Sequence, residues 1–427
     1  MERLVMNKLV EWKKKKNRKP LILNGARQVG KTWLLKEFGK LHYEDVAYFM
    51  CDRDEEITRI FSSSFDIKRI IMQLSARMGK NIIPEKTLVI FDEIQSSPRV
   101  LEGLKFFYEE APNYHIAVAG SLLGISLHQG SSFPVGKVDM IRVFPMNFEE
   151  FLMASGQKKL VDILNVRDYE SINTLKDTYE KYLRQYYFVG GMPAAVQAHV
   201  ENYGLEDVRS IQQQILFDYS RDFSKHVSKT DVPKVNMVWQ CMPAQLFKEN
   251  KKFIYGVLKE GGRAKEFENA IQWLVDAGLV YKINRCKSIK MPLKAYEDFS
   301  AFKLFLCDCG LLGALAEIPA SQMLVSDKAI KEYKGGFTEQ YVLQQLISRD
   351  RGSIYYYSAD NSRLEIDFLI QKDGDVKPIE VKAEGNVRSN SLSEYLNNNP
   401  EIRGIRYSML PYIQQEHFDN IPLWAIE

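Results

Sequence analysis

Leu21-Ile22-Leu23-Asn24-Gly25-Ala26-Arg27-Gln28-Val29-Gly30-Lys31-Thr32 decides how the rest of the chain is read. Three apolar residues run toward Gly25, and Gly25 to Thr32 fits G-x-x-x-x-G-K-[ST] at every fixed position. Leu34, Leu35 and Phe38 follow at helical spacing. The motif therefore lies between a predicted buried strand and a predicted helix, the setting that turns a glycine-rich turn into a phosphate-binding loop. Glycines let backbone N–H groups curl around phosphate oxygens, and the positive end of the following helix points at the same anion. Gly25, Ala26, Arg27, Gln28, Val29, Gly30, Lys31 and Thr32 form the predicted ATP-binding loop. Lys31 reaches the β- and γ-phosphates, and the Thr32 hydroxyl is a Mg²⁺ ligand.

The second half of a nucleotide site follows downstream. Thr87-Leu88-Val89-Ile90-Phe91-Asp92-Glu93 reads as a buried strand tipped by two acids. A doubly wound sheet places such a tip beside the phosphates. Asp92 is the predicted acid that holds Mg²⁺ through water, and Glu93 the general base that polarises the attacking water. His115 to Gly120 is a further buried strand, and Ser121 after it is placed beside the γ-phosphate. Val46 to Met50 and Met140 to Phe144 supply two more strands, the last ended by Pro145. Residues 122–136 are Gly/Ser-rich and read as a loop near the site.

The 427 residues suffice for several domains, and 45% hydrophobic with 26% charged residues is ordinary globular composition. A net charge of +3 is too small to argue for nucleic acid by itself. Five scattered cysteines without a C-x-x-C pair suggest neither a zinc site nor a disulfide framework, which fits a reducing cytoplasm. No run of 18 apolar residues predicts a membrane span. Residues 2–13 read as an amphipathic helix, and the basic run Lys13 to Lys19 as a solvated linker.

At this point the chain resembles AAA-like ATPases of bacteria and archaea in which a P-loop domain precedes a region of uncharacterised function of the DUF4143 type. The likeness rests on GARQVGKT (25–32), LVIFDEIQ (88–95), AVAGSLLG (117–124), VFPMNFEEFL (143–152), YYFVGGMPAAV (186–196), FDYSRDFSKH (217–226) and FKLFLCDCGLL (302–312). It implies an α/β core of the additional-strand, catalytic-glutamate type, with Glu93 as the catalytic glutamate. Relatives show Gly-Arg where this chain has Gly136-Lys137, so a trans-acting arginine is not assigned, and Arg142 is a weak substitute. Sites of this type are often shared between subunits, so a homo-oligomer is an open expectation.

The expected organisation is a P-loop ATPase domain over 1–155, a helical lid over 156–228, a winged-helix-like region over 229–320 and a restriction-endonuclease-like α/β domain over 325–427. Gly190-Gly191 and Pro193 break the lid helices, and Arg221 and Asp222 are either phosphate-facing or part of a helix surface. WLVDAGLVYKI (273–283) reads like the last helix and wing of a winged helix; Lys287, Lys290 and Lys294 beside it leave DNA or a protein as its partner.

The C-terminal stretch carries a second constellation. Glu339 sits on a predicted helix, Asp367 on a strand, and Glu380-Val381-Lys382 on its partner strand across the hairpin signal Lys372-Asp373-Gly374-Asp375. Glu380 and Lys382, two apart, share a sheet face. An acid on one strand and E-x-K on the next look like nucleases of the PD-(D/E)XK type. On that likeness Asp367 and Glu380 bind Mg²⁺, Lys382 assists the attacking water, and Glu339 completes the shell. Two functions stay open: an ATPase that gates a Mg²⁺-dependent nuclease, or a nucleotide-dependent switch whose C-terminal fold binds DNA or a partner protein without cutting.

Overall fold

The structure, a computed structural model, describes residues 1–52, 54–120, 133–248, 251–324, 334–359, 364–383 and 390–426. The chain divides into two compact units. One comprises residues 2–144 with 276–278, the other residues 145–275 with 279–427.

The first unit is built on a five-stranded parallel sheet of β1 (Leu21–Asn24), β2 (Asp45–Met50), β3 (Thr87–Asp92), β4 (His115–Ala119) and β5 (Asp139–Arg142). Their order is β2-β3-β4-β1-β5. Strand β4 is thus inserted between the strand that leads into the phosphate loop and the strand that carries Asp92, with Leu21 opposite Ala117 and Leu88 opposite His115. Leu88, Val89, Ile90 and Phe91 are wholly buried, as continuous apolar strands covered on both faces must be. The crossover helices follow the chain order: α2 (Lys31–His42) after β1, α3 (Glu55–Ser63) and α4 (Ile67–Met78) after β2, α5 (Pro98–Glu110) after β3. Asp54 and Asp66 accept from backbone N–H groups at the starts of α3 and α4, and Gly79 closes α4 in the left-handed conformation.

Helix α1 (Val5–Lys14) buries Leu9 and Trp12. The basic run after it is not a solvated linker. Lys13 donates to the carbonyl of His42, the last residue of α2, where a cation meets the negative end of the helix. Lys15 pairs with Asp139 at 2.9 Å, Arg18 donates to the Pro112 carbonyl at 2.9 Å, and Lys19 donates to that of Gly136 at 2.6 Å. A helix end, a strand carboxylate and two loop carbonyls recruit these cations, an outcome that charge density alone does not reveal.

The second unit opens with helices α6 (Phe148–Ala154), α7 (Lys158–Asn165), α8 (Tyr169–Thr174), α9 (Lys176–Val189), α10 (Pro193–Val200), α11 (Leu205–His226), α12 (Val232–Gln240), α13 (Met242–Leu246) and α14 (Ala264–Asp276). Strands β6 (Val280–Cys286) and β7 (Glu297–Leu306) form an antiparallel hairpin, followed by α15 (Cys309–Leu315), α16 (Ala320–Leu324) and α17 (Lys334–Ser348). The remaining elements are β8 (Ser353–Ser358), β9 (Glu365–Lys372), β10 (Asp375–Val381), α18 (Asn390–Asn397), β11 (Gly404–Ser408), β12 (Ile413–Gln414) and β13 (Phe418–Pro422). All eight strands lie in one sheet, ordered β12-β13-β11-β10-β9-β8-β6-β7. The expected hairpin at Asp373-Gly374 is present: Lys372 faces Asp375, and both turn residues have positive φ, 52° and 84°. The hairpin read as a wing of a separate module instead extends the C-terminal sheet, because β6 runs parallel to β8 at Arg285–Tyr356 and Cys286–Tyr357.

Candidate functional site: a phosphate loop and a buried acid–lysine cluster

The loop from Gly25 to Gly30 takes its shape from backbone conformations that ordinary residues resist. Gly25 has φ +151°, and a Cβ there would stand 2.1 Å from the Val143 carbonyl oxygen. Gln28 and Gly30 have φ of 64° and 91°. Gly30 is the N-cap of α2, so the helix starts at Lys31 with its free N–H groups facing the loop. The Lys31 ammonium is held by the loop's own carbonyls, Gly25 at 2.8 Å and Ala26 at 2.7 Å. Burial lowers its pKa to about 8, against the opposing pull of Glu93 and Asp92.

Asp92, at the tip of β3, collects three donors: Thr32 Oγ1 at 2.7 Å, Tyr48 OH at 2.9 Å and the Glu93 N–H at 3.0 Å. Tyr48 belongs to β2 and was not singled out from sequence. Burial first, then Asp92 beside it, raises the Tyr48 phenol well above its ordinary range, so it stays a donor. Glu93 sits at φ 50°, ψ 45°, a left-handed turn that a non-glycine residue enters at a cost. Its Oε2 accepts from Gln95 Nε2 at 2.5 Å. The Thr32 hydroxyl and Asp92 carboxylate, already within bonding distance at the loop mouth, fit the oxygen donors that Mg²⁺ takes from a protein. Ser121 lies outside the described residues. Lys137 pairs with Glu109 at 2.9 Å. Arg142 ends β5, its guanidinium over the Phe144 ring. Asp222, on α11, is buried within the second unit.

The C-terminal residues meet in a different pattern from the one expected. Glu339 and Asp367 are brought together and share a hydrogen bond. Two lysines join them that sequence reasoning missed. Lys251 bonds Glu339 at 2.7 Å, while Lys303, only 1% exposed, lies 3.7 Å from Glu339 and 2.6 Å from Glu365. Burial and the Glu339 charge raise Asp367 to about 7, so the pair holds a proton on the Asp367 side, while the lysines keep Glu339 low. Asp367 Oδ2 also accepts from the Val381 N–H at 2.8 Å. Glu380 pairs with Lys382 at 2.7 Å, and its Oε2 meets no donor among the described residues. Two ammonium groups already match the charge of Glu339 and Glu365. A divalent cation entering this cluster would have to displace the proton of Asp367 and compete with Lys251 and Lys303 for Glu339. Among the described residues no cluster of three or more acids, histidines or cysteines is arranged to hold a metal.

The first unit, with its inserted strand, glycine loop and Asp-Glu strand tip, has the form of an AAA-type P-loop domain. Family profiles agree: residues 17–152 match the AAA domain, 180–322 a domain of unknown function (DUF8612), and 334–425 a domain of unknown function (DUF4143). The chain thus carries an AAA domain followed by a DUF4143 region, the arrangement of the AAA-like ATPases that it resembles. It is 23% identical over 374 residues to an uncharacterized protein of Methanocaldococcus jannaschii, covering 86% of this chain and 75% of that one. Among solved structures it is similar to C. elegans PCH-2, at 17% identity and TM-score 0.23 over 38% of this chain, and it spans under half, 47%, of that chain. AMPPCP-bound DnaA from Aquifex aeolicus is similar at 14% identity and TM-score 0.29, over 64% of this chain and 86% of that chain. Among the described residues no helix is long and apolar enough to cross a membrane.

Proposed function

We propose that the AAA domain hydrolyses ATP and that the C-terminal half responds to nucleotide as a binding module rather than a nuclease. The observation that carries the first statement is Thr32 Oγ1 at 2.7 Å from Asp92 Oδ2, with Glu93 next in the chain. The loop N–H groups and the start of α2 bind the β- and γ-phosphates. Lys31, freed from the Gly25 and Ala26 carbonyls by a stronger anionic partner, neutralises charge on the phosphoryl oxygens. Thr32 and Asp92 would hold Mg²⁺, which when bound draws negative charge from the β- and γ-oxygens. Glu93 accepts the proton of the attacking water, and Gln95 orients its carboxylate.

Lys31→Ala is expected to abolish ATP binding measured by calorimetry. Glu93→Gln is expected to keep binding and to lose turnover by about two orders of magnitude or more. Normal turnover in the Glu93 variant removes that role.

For the C-terminal half, the pairing of Glu339 and Glu365 with Lys251 and Lys303 speaks against a metal-dependent cutting centre, which leaves binding of DNA or a partner protein as the reading proposed. Purified protein with plasmid and Mg²⁺, with and without ATP, is expected to leave the plasmid intact. Cutting that disappears in Glu380→Ala returns the nuclease reading. Mass measurement with and without ATP tests whether the nucleotide site is shared in a homo-oligomer.

A further inference from the structure

Arg3 precedes every motif in the chain, yet it is 6% exposed, and a buried guanidinium needs strong partners to offset its lost hydration. Its fork bridges two carbonyls. One terminal nitrogen donates to Val29 at 2.9 Å, the other to Phe144 at 2.7 Å. Val29 is the last variable residue of the phosphate loop, directly before Gly30. Phe144 follows the end of β5, whose continuation is already tied to the loop's foot: the Val143 N–H donates to Asn24 at 2.7 Å. One side chain thus fastens the crest of the loop to the strand that flanks its base.

The peptide group explains what this does. A trans peptide is planar, and its C=O and N–H point in opposite directions. Gripping the Val29 carbonyl therefore turns the Gly30 N–H to the opposite side of the loop. Gly30 can follow because it tolerates its left-handed φ of 91°. A lysine presents one compact charge and cannot replace a planar two-pronged donor between carbonyls on separate segments.

We infer that Arg3 is a positioning residue of the phosphate loop, fixing the Val29–Gly30 peptide so that its N–H is set for a nucleotide phosphate before the nucleotide arrives. The inference rests on the ATP-binding reading. Arg3 gives both terminal nitrogens to backbone carbonyls. It acts through the loop backbone, so its loss weakens ground state and transition state alike: KM and Kd rise while kcat holds.

The test uses the full-length protein. In Arg3→Met, Kd and KM for ATP are expected to rise about tenfold, as the loss of a charge-assisted hydrogen bond implies, with kcat within about twofold of wild type. Arg3→Lys, the safer variant for folding, is expected to fall between the two. Free guanidinium added to Arg3→Gly is expected to restore Kd, and methylammonium is not; a residue needed only for general stability would show no such selectivity. Unchanged Kd and KM in both Arg3→Met and Arg3→Lys overturn the inference while leaving the ATP reading intact. A wild-type protein that binds no ATP overturns both.

Discussion

Asp92 shows how single residues set this site. Three donors converge on one carboxylate, and two come from parts of the chain remote from it. Tyr48 reaches it because Met50 lies opposite Asp92 across the β2–β3 pair, and Tyr48, two residues back, shares the Met50 face. Tyr48→Phe removes one donor of about 1 kcal/mol and leaves Asp92 less firmly aimed at Thr32. The Mg²⁺ concentration that half-activates ATP hydrolysis is expected to rise about fivefold, with ATP binding in the absence of Mg²⁺ unchanged. Lys31 gives a pH dependence. Its folded-state pKa is lowered to about 8, so the ammonium is lost as pH rises through that value. A polyphosphate restores the proton; ATP binding above about pH 8 should therefore take up protons and weaken with rising pH. Calorimetry in two buffers of different ionisation enthalpy checks this: equal heats at pH 9 would contradict the assignment. GARQVGKT and the Asp92-Glu93 tip were legible in sequence because each is contiguous and flanked by its own strand or helix signal. Arg3 and Tyr48 were not, because their partners are defined by register and chain crossing.

At the scale of elements, the same contrast explains YYFVGGMPAAV and FKLFLCDCGLL. Gly190-Gly191 reads as a turn in a lid, and the break between α9 and α10 is there. What the sequence hides is that Asp308, the buried N-cap of α15, comes to meet it. Asp308 accepts from the Gly191 N–H at 2.6 Å, from Leu311 N–H at 3.0 Å and from Gln344 Nε2 at 3.0 Å. Gln344 also donates to the buried Tyr186 hydroxyl at 2.9 Å, and Tyr186 to the Met146 carbonyl, so α9, α15, α17 and the segment leading into α6 share one polar knot. Closeness requires glycine: a Cβ on Gly190 would stand 2.2 Å from Asp308 Oδ1, at φ +71°. Gly190→Ala is expected to destabilise the protein by about 3 kcal/mol or more in urea unfolding, from strain and the disturbed buried carboxylate together. Gly261 is the control, with a similar φ of +72° and nothing within 4 Å of its Cβ; there alanine is expected to cost only about 1 kcal/mol. Equal losses at both sites would mean that backbone conformation alone, and not the approach to Asp308, makes Gly190 necessary.

At the scale of the whole molecule, the regions matching DUF8612 and DUF4143 fold into one another. Their strands share a sheet through the β6–β8 pair, and their charges share the cluster in which Lys251 and Lys303 from the first meet Glu339 and Glu365 from the second. Asp367 and Glu380 were readable because a strand aspartate and E-x-K are local patterns, whereas Glu365, the nearest partner of Lys303, was not singled out. The lysines were not, since nothing near residues 251 or 303 signals a distant acid, and they pair Glu339 and Glu365 with ammonium groups. A fragment of residues 334–427 would therefore expose the flank of β8 and leave Glu339, normally 4% exposed, without its cations. It is expected to show no cooperative thermal transition, whereas a fragment of residues 145–427 keeps both lysines and the complete sheet and is expected to melt cooperatively. In the full chain, Lys303→Met preserves volume but takes the 2.6 Å partner from the half-buried Glu365 and leaves Glu339 with Lys251 alone, at an expected cost of about 1–3 kcal/mol. Asp367→Asn acts in the opposite direction with pH. Asp367 is raised to about 7 from 3.8, so its contribution to stability is full below pH 3.8 and lost as pH rises through about 7. The asparagine variant cannot ionise, and its stability measured by urea unfolding should decline less than that of wild type between pH 5 and 8. An identical decline in both proteins would place the proton of the pair elsewhere.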